Sequence, residues 1–251
     1  MQLSLQIIES RHGSYAKTAT TATPPMAQNQ NVFSTPTQTW NLTWGNATDE
    51  EYGKAVQYDS QGNLYLAGQS NAVGEDPVVF ITKISPNGEP LINQTYNFPL
   101  GAYVEDIWIN STDSLFVVGY LKNSTETDGF VLSVNGTTLN EEWRSIWAYN
   151  NAGIEDAITC VIGDANYLYV AGYSRGFSMG IKQSFATQMD YSGQFLANTT
   201  WTVTRDEVPT RIGLTHSGIM IGGSTMDSGN ATLYSKIYLR FSQLEPIKRF
   251  F

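Results

Sequence analysis

Four segments of the chain share one pattern, in which alternating apolar residues lead into a small residue and then a glycine. The pattern ends at Gly68, Gly119, Gly172 and Gly223, so its copies are spaced by 51, 53 and 51 residues. Strand-type alternation that recurs every 40 to 55 residues or so is typical of β-propeller blades. The repeat therefore predicts an all-β propeller, although a β-sandwich with coincidental spacing is an alternative.

Each repeat of about 52 residues divides into four strand signals separated by turn residues. An apolar strand such as KAVQYD precedes the glycine-ending strand, and an alternating strand such as VFITKIS follows it. The fourth strand is aromatic, and its last copy is expected over Pro246–Phe250. Helical periodicity is absent, and the density of glycine and β-branched residues opposes helices. We therefore expect four blades of four strands each.

The first repeat also carries a family resemblance. The runs WNLTWG, GKAVQYDSQGNLYLAG and FITKISPNGE, within residues 38–91, resemble the SBBP-type repeat of secreted β-propellers on archaeal and bacterial surfaces. The resemblance implies a propeller in an exported context and implies no catalytic residues. The strand order is similar to that of NHL-type propellers, which implies that the first strand of each repeat lines the axis and the aromatic strand is outermost. Four copies are fewer than the seven blades usual in the SBBP family.

The N-terminal part of the chain does not follow the repeat. Residues 1–37 contain one short apolar stretch and a segment rich in Thr, Ala, Pro and Gln, which is typical of an extended linker. We interpret them as an arm preceding a propeller domain over residues 38–251. A fifth outer-type strand, Thr39–Gly45, then precedes the first blade. The arm is either the remainder of a degenerate fifth blade or a strand donated to a neighbouring subunit.

The asparagines indicate the compartment. Eight of the 18 asparagines stand in Asn-x-Thr, where 18 × 26/251, or about two, are expected by chance from 26 threonines, and none stands in Asn-x-Ser. The eight predicted glycosylation sites are Asn41, Asn46, Asn93, Asn110, Asn123, Asn135, Asn198 and Asn230. Asn and Thr are common in loops, but this preference does not explain why Ser never takes the place of Thr in these triplets. We therefore expect an extracellular protein with N-linked glycans. Under the NHL-like order, these sites fall on outer strands or connections.

The chain does not begin with a recognisable export signal, so either the signal has been removed or the chain is a portion of a longer protein.

The composition excludes several classes of protein. The formal charge of −9 disfavours nucleic-acid binding, because counterion release requires a basic face. No apolar run is long enough for a membrane-spanning helix. Cys160 is the single cysteine, which excludes an intrachain disulfide and fits a microbial surface better than an animal secretory pathway.

Acidic residues recur where one repeat leads into the next. In a propeller such connections surround one mouth of the axial channel, so these acids are a candidate Ca²⁺ site, with a purely solvated rim as the alternative. The residues of this predicted acidic ring are Glu51, Glu105, Asp106, Glu155, Asp156 and Asp206. Two histidines far apart in the sequence argue against a zinc site.

The sequence contains no nucleophile, phosphate-binding or dinucleotide motif, so we predict no catalytic residues. The expected function is that of a structural or interaction module of a microbial cell surface, forming homo-oligomers, filaments or surface arrays, with strand donation as one route to assembly. The alternatives are a carbohydrate-active hydrolase or lyase that uses the acidic mouth, and a ligand-binding domain of a larger surface protein. The six tryptophans are expected to pack between blades, because blade packing repeats along the chain.

Overall fold

The computed structural model describes residues 40, 42, 45, 48–71, 74–148, 153–177, 180–201, 205–216, 218–227, 230–239 and 245–246. The chain divides into two units, Met1–Gln38 and Thr39–Phe251. The arm predicted over residues 1–37 lies outside the described residues. Of the predicted fifth outer strand, the described residues Trp40, Leu42 and Gly45 are not in a strand.

The second unit is a β-propeller whose blades are antiparallel sheets following one another along the chain. Blade 1 contains β1 (Glu50–Tyr58), β2 (Leu64–Asn71), β3 (Val78–Ile84) and β4 (Pro90–Tyr96). Blade 2 contains β5 (Gly101–Ile109), β6 (Ser114–Lys122), β7 (Thr127–Asn135) and β8 (Glu141–Trp147). Both blades have the predicted four strands in sequential order.

Blades 3 and 4 complete the described structure. Blade 3 contains β9 (Asp156–Gly163), β10 (Leu168–Ser174), β11 (Gln183–Met189) and β12 (Phe195–Thr200). Blade 4 contains β13 (Asp206–Thr215), β14 (Gly218–Asp227) and β15 (Asn230–Leu239). The described residues contain no helix long and apolar enough to cross a membrane.

One strand lies in a different sheet from the one predicted. The segment expected to be the outer strand of blade 4 is described only at β16 (Glu245–Pro246), and β16 pairs with β12 of blade 3 rather than with β15. Blade 3 therefore has a fifth strand. A proline has no backbone N–H to donate, and Pro246 is tolerated here because β16 is an edge strand.

The first strand of each blade is the innermost, as expected. β1 contacts β5, β5 contacts β9, and β9 contacts β13 around the axis. The second and third strands are mostly buried, whereas β4 is mostly exposed. Apolar cores lie between consecutive blades: one between blades 1 and 2, one between blades 2 and 3, and one between blades 3 and 4.

Four of the five tryptophans that the structure describes pack between blades, as predicted, whereas Trp40 donates to the Pro86 carbonyl at 3.1 Å. Trp108, Trp143 and Trp147 pack against the core between blades 2 and 3, and Trp201 packs against the next core. The Trp143 indole donates to the Tyr191 carbonyl at 2.9 Å, which fixes the outer strand of blade 2 to a turn of blade 3.

A β-bulge interrupts every innermost strand at the same repeat position. One extra residue stands on the inner strand relative to its partner at Lys54, Glu105, Thr159 and Thr210. The motif glycine pairs beside this bulge, and a Cβ at Gly119 would lie 1.9 Å from the Tyr103 carbonyl oxygen. In the first three copies of the pattern, the final glycine is therefore required by the close approach of the bulged neighbouring strand.

Candidate functional site

A cavity of about 810 Å³ opens at the axis between blades 2, 3 and 4. The bulges place two of its lining residues, Glu105 of blade 2 and Thr159 of blade 3, because an extra strand residue re-aims its side chain. Tyr120 and Tyr173, each the residue that follows a motif glycine, line the cavity from adjacent blades. Equivalent repeat positions therefore build this surface.

Glu155 is the best-connected carboxylate of the cavity. It accepts from the Arg175 Nε at 2.6 Å and from the Tyr173 hydroxyl at 3.1 Å, and it forms an ion pair with the Lys182 Nζ at 2.5 Å. Burial alone would raise the pKa of Glu155, but Lys182 and Arg175 outweigh it and lower the pKa. Glu155 is therefore held as a carboxylate.

Glu105 experiences the opposite effect. Burial raises the pKa of its carboxyl group, and this exceeds the stabilisation of the ionised form by Lys54. The cavity thus contains one carboxyl group whose pKa is raised and another whose pKa is lowered. Arg175 and Lys182 balance the negative charge, and Arg175 also contacts Asp206 at 3.4 Å.

Of the six residues of the predicted acidic ring, only Glu105 and Glu155 line the cavity. Asp106 instead accepts from the backbone N–H groups of Val161 and Ile107, at 3.1 and 3.0 Å, which joins blades 2 and 3. Asp156 is buried within β9. Asp206 contacts Arg175 and accepts from the Lys182 N–H.

The strand register explains why the acids do not form one ring. Each motif glycine pairs with one residue of the innermost strand of its blade. The residues three positions before that partner are equivalent in the four blades, and they are Glu50, Gly101, Glu155 and Asp206. The sequence suggested that Glu105 and Asp106 correspond to Glu155 and Asp156, but the register places them at different repeat positions. Glu51 is one residue away from the position in blade 1 that corresponds to Glu155. Among the residues that the structure describes, no group of three or more His, Cys, Asp or Glu side chains is placed to hold a metal ion.

Six of the eight predicted glycosylation sites lie in the described part of the chain, and Asn41 and Asn46 lie outside it. Asn93 is on the outer strand β4, as expected, whereas Asn198 is on β12, the fourth strand of blade 3, where it pairs with Glu245 of β16. Asn110 and Asn123 follow β5 and β6. Asn135 and Asn230 are the last residue of β7 and the first of β15, so the expectation that no site falls in a middle strand is wrong at these two strand ends.

Three of these asparagines have a structural role that the sequence did not reveal. The Asn110 Oδ1 accepts from the backbone N–H groups of Thr112 and Ser114, at 3.0 and 2.8 Å, and Asn123 and Asn135 form similar turns. Aspartates such as Asp59 and Asp164 form the corresponding turns in blades 1 and 3. Since serine can serve in such a turn as well as threonine, turn formation does not account for the missing Asn-x-Ser.

Blades 1 and 4 expose apolar side chains at repeat positions that are buried or half-buried in blades 2 and 3. Val56 and Tyr58 are exposed on one side of β1 in blade 1, and Met220 is exposed on β14 in blade 4. We name these surfaces the β1 face and the β14 face. They lie at the two ends of the blade series.

Comparisons with known proteins concern the fold alone. No protein-family model matches the chain, and no curated protein matches it. The chain is similar to the crystal structure of an endo-arabinase from Bacteroides thetaiotaomicron VPI-5482, with a TM-score of 0.50, 11% identity and coverage of 74% of each chain.

Two further structures have lower scores. A protein of unknown function from Bacteroides caccae gives a TM-score of 0.45 at 13% identity, covering 84% of this chain and 76% of that one. An apocarotenoid oxygenase mutant from Synechocystis gives 0.42 at 12% identity, covering 73% and 49%. Neither likeness bears on function.

Proposed function

We propose that this protein is an extracellular, N-glycosylated β-propeller that serves as a structural or interaction module of a microbial cell surface. The observation that carries the proposal is the pair of exposed apolar faces at the two ends of the blade series. Exposed apolar side chains at repeat positions that are buried in the other blades indicate sites of protein association. The Asn-x-Thr excess and the resemblance of residues 38–91 to SBBP-type repeats support the extracellular setting.

Mass spectrometry of the protein isolated from its own cells tests the extracellular setting. We expect a mass above the 27.8 kDa of the polypeptide and glycopeptides that include Asn93, which is exposed on β4. Protease added to intact cells should cleave the protein. An unmodified protein that resists protease until the cells are lysed would contradict the proposal.

A carbohydrate-active hydrolase is a second candidate function, favoured by the opposite pKa shifts of Glu105 and Glu155 within one cavity. Paired carboxyl groups of this kind act as general acid and as base or nucleophile in glycoside hydrolysis. The ion pairs of Glu155 with Arg175 and Lys182 reduce its availability for such a role.

Release of reducing ends from a panel of polysaccharides tests this second function. Activity of the unmodified protein that is lost in Glu105→Gln and Glu155→Gln, and retained in the exposed control Glu89→Gln, would support it. Absence of any release, or equal release by all three variants, would reject it.

A further inference from the structure

The interface between consecutive blades is built from fixed repeat positions. Between blades 1 and 2, Tyr65 and Ala67 of blade 1 pack against a core that includes Ile107 and Val117 of blade 2. Between blades 2 and 3, Phe116 and Val118 occupy the positions of Tyr65 and Ala67, while Val161 and Val170 occupy those of Ile107 and Val117. Each blade therefore presents one face to the blade before it and a different face to the blade after it.

Register identifies the β1 face as the face that a blade presents to its predecessor. Val56 stands two positions after the bulge, as Ile107 and Val161 do. Ile107 is 1% exposed and Val161 is 4% exposed, whereas Val56 is 58% exposed. The difference arises because blades 2 and 3 have a predecessor packed at this position.

The same comparison identifies the β14 face as the face that a blade presents to its successor. Met220 of β14 stands three residues before the motif glycine, as do Tyr65, Phe116 and Tyr169. Those three side chains are 0%, 1% and 5% exposed, whereas Met220 is 40% exposed. Within the described residues, blade 4 therefore has an exposed side chain on its successor-facing side, and blade 1 has one on its predecessor-facing side.

We propose that the β14 face of one copy packs on the β1 face of a second copy, continuing the blade-to-blade interface between molecules. A second copy is the occupant because the two faces are the two halves of one interface that this chain already forms between its own blades. Such a contact is heterologous, so it produces either a closed ring or an open filament. This inference rests on the proposed interaction role and names its partner.

Oligomeric mass in solution tests the contact, using the full chain. We expect the unmodified protein to associate in multi-angle light scattering and analytical ultracentrifugation. Val56→Lys and Met220→Lys should each weaken association by about tenfold or more, because a lysine in the centre of an apolar contact loses its hydration. Leu91→Lys and Ile146→Lys are matched controls, since both residues are exposed on the outer strands β4 and β8, and they should associate normally.

Mixing the two variants distinguishes this contact from any other. The Val56→Lys protein retains an intact β14 face and the Met220→Lys protein retains an intact β1 face, so their mixture should form a 1:1 complex that neither forms alone. A monomeric unmodified protein overturns the inference. So does an oligomer that neither variant weakens, which would indicate another surface such as a donated strand. A monomer that is still glycosylated and surface-exposed overturns only this contact and leaves the proposed function standing.

Discussion

Substitution of a motif glycine tests the link between the repeat pattern and the bulge. In Gly119→Ala the new Cβ would lie 1.9 Å from the Tyr103 carbonyl oxygen, and Gly172→Ala gives the same distance from the Ala157 oxygen. Cβ contacts below 3.0 Å essentially do not occur, so the backbone must move by about 1 Å or more. Overpacking of a core usually costs about 1–3 kcal/mol, and a rigid backbone neighbour places these substitutions at or above the upper end.

A loss of about 3 kcal/mol lowers Tm by about 6–12 °C for a domain of this size. We expect this from thermal unfolding followed by circular dichroism. Gly222→Ala is the matched control: it precedes the fourth motif glycine, and a Cβ there meets no atom within 4 Å. Alanine already occupies the corresponding position at Ala67 and Ala171, so this change should leave Tm unchanged or raise it slightly. If Gly119→Ala and Gly222→Ala melt within about 1 °C of each other, the bulge does not impose the glycine.

Two further predictions concern single buried groups. Burial alone would raise the pKa of Asp59, but hydrogen bonds from Asn63 and Tyr65 outweigh it and lower the pKa. The ionised Asp59 therefore stabilises the fold at pH values above the pKa that it has in the unfolded chain. This contribution is lost as the pH falls through the pKa of Asp59 in the folded protein. Asp59→Asn should therefore cost about 1–3 kcal/mol near neutral pH and flatten the acid limb of a plot of unfolding free energy against pH; an unchanged acid limb would contradict this. Burial is the largest effect on the Cys160 thiol and raises its pKa to about 12. A thiol reagent such as DTNB should therefore react with Cys160 only after denaturant is added. Fast reaction of the native protein would contradict this, because it would show that Cys160 is accessible.

The sequence predicted the propeller because its strongest signal, the glycine-ending strand, repeats with nearly constant spacing. It did not predict the bulge, because one extra residue in a strand leaves apolar alternation almost unchanged over a short segment. The predicted equivalence of the acids was wrong for a different reason: Glu105 looks like the counterpart of Glu155 until the strand register assigns that position to Gly101. The mismatch is visible in the spacing, because Glu105 stands 14 residues before its motif glycine and Glu155 stands 17 residues before its own.

The pairing of β16 could not be read from the sequence. The segment Pro246–Phe250 resembles other outer strands in its aromatic content, and composition does not specify which open sheet edge accepts a strand. The turn roles of Asn110 and Asn135 were also missed, although a signal existed: Asp59, Asp164 and other turn aspartates stand at matching points of the repeat. Asp and Asn can replace each other at such positions from one repeat to the next, because the side-chain oxygen of either residue accepts hydrogen bonds from the same backbone N–H groups.

One local feature connects the repeat motif with the cavity. The bulge in the innermost strand requires a glycine on the adjacent strand in blades 1 to 3, and in blades 2 and 3 it also directs Glu105 and Thr159 at the axial cavity. The glycine position is therefore fixed across blades, whereas the bulged residue varies from Lys54 to Glu105 to Thr159 and Thr210. Because the backbone geometry does not depend on the bulged side chain, the chemistry of the axis can change without altering the blade packing.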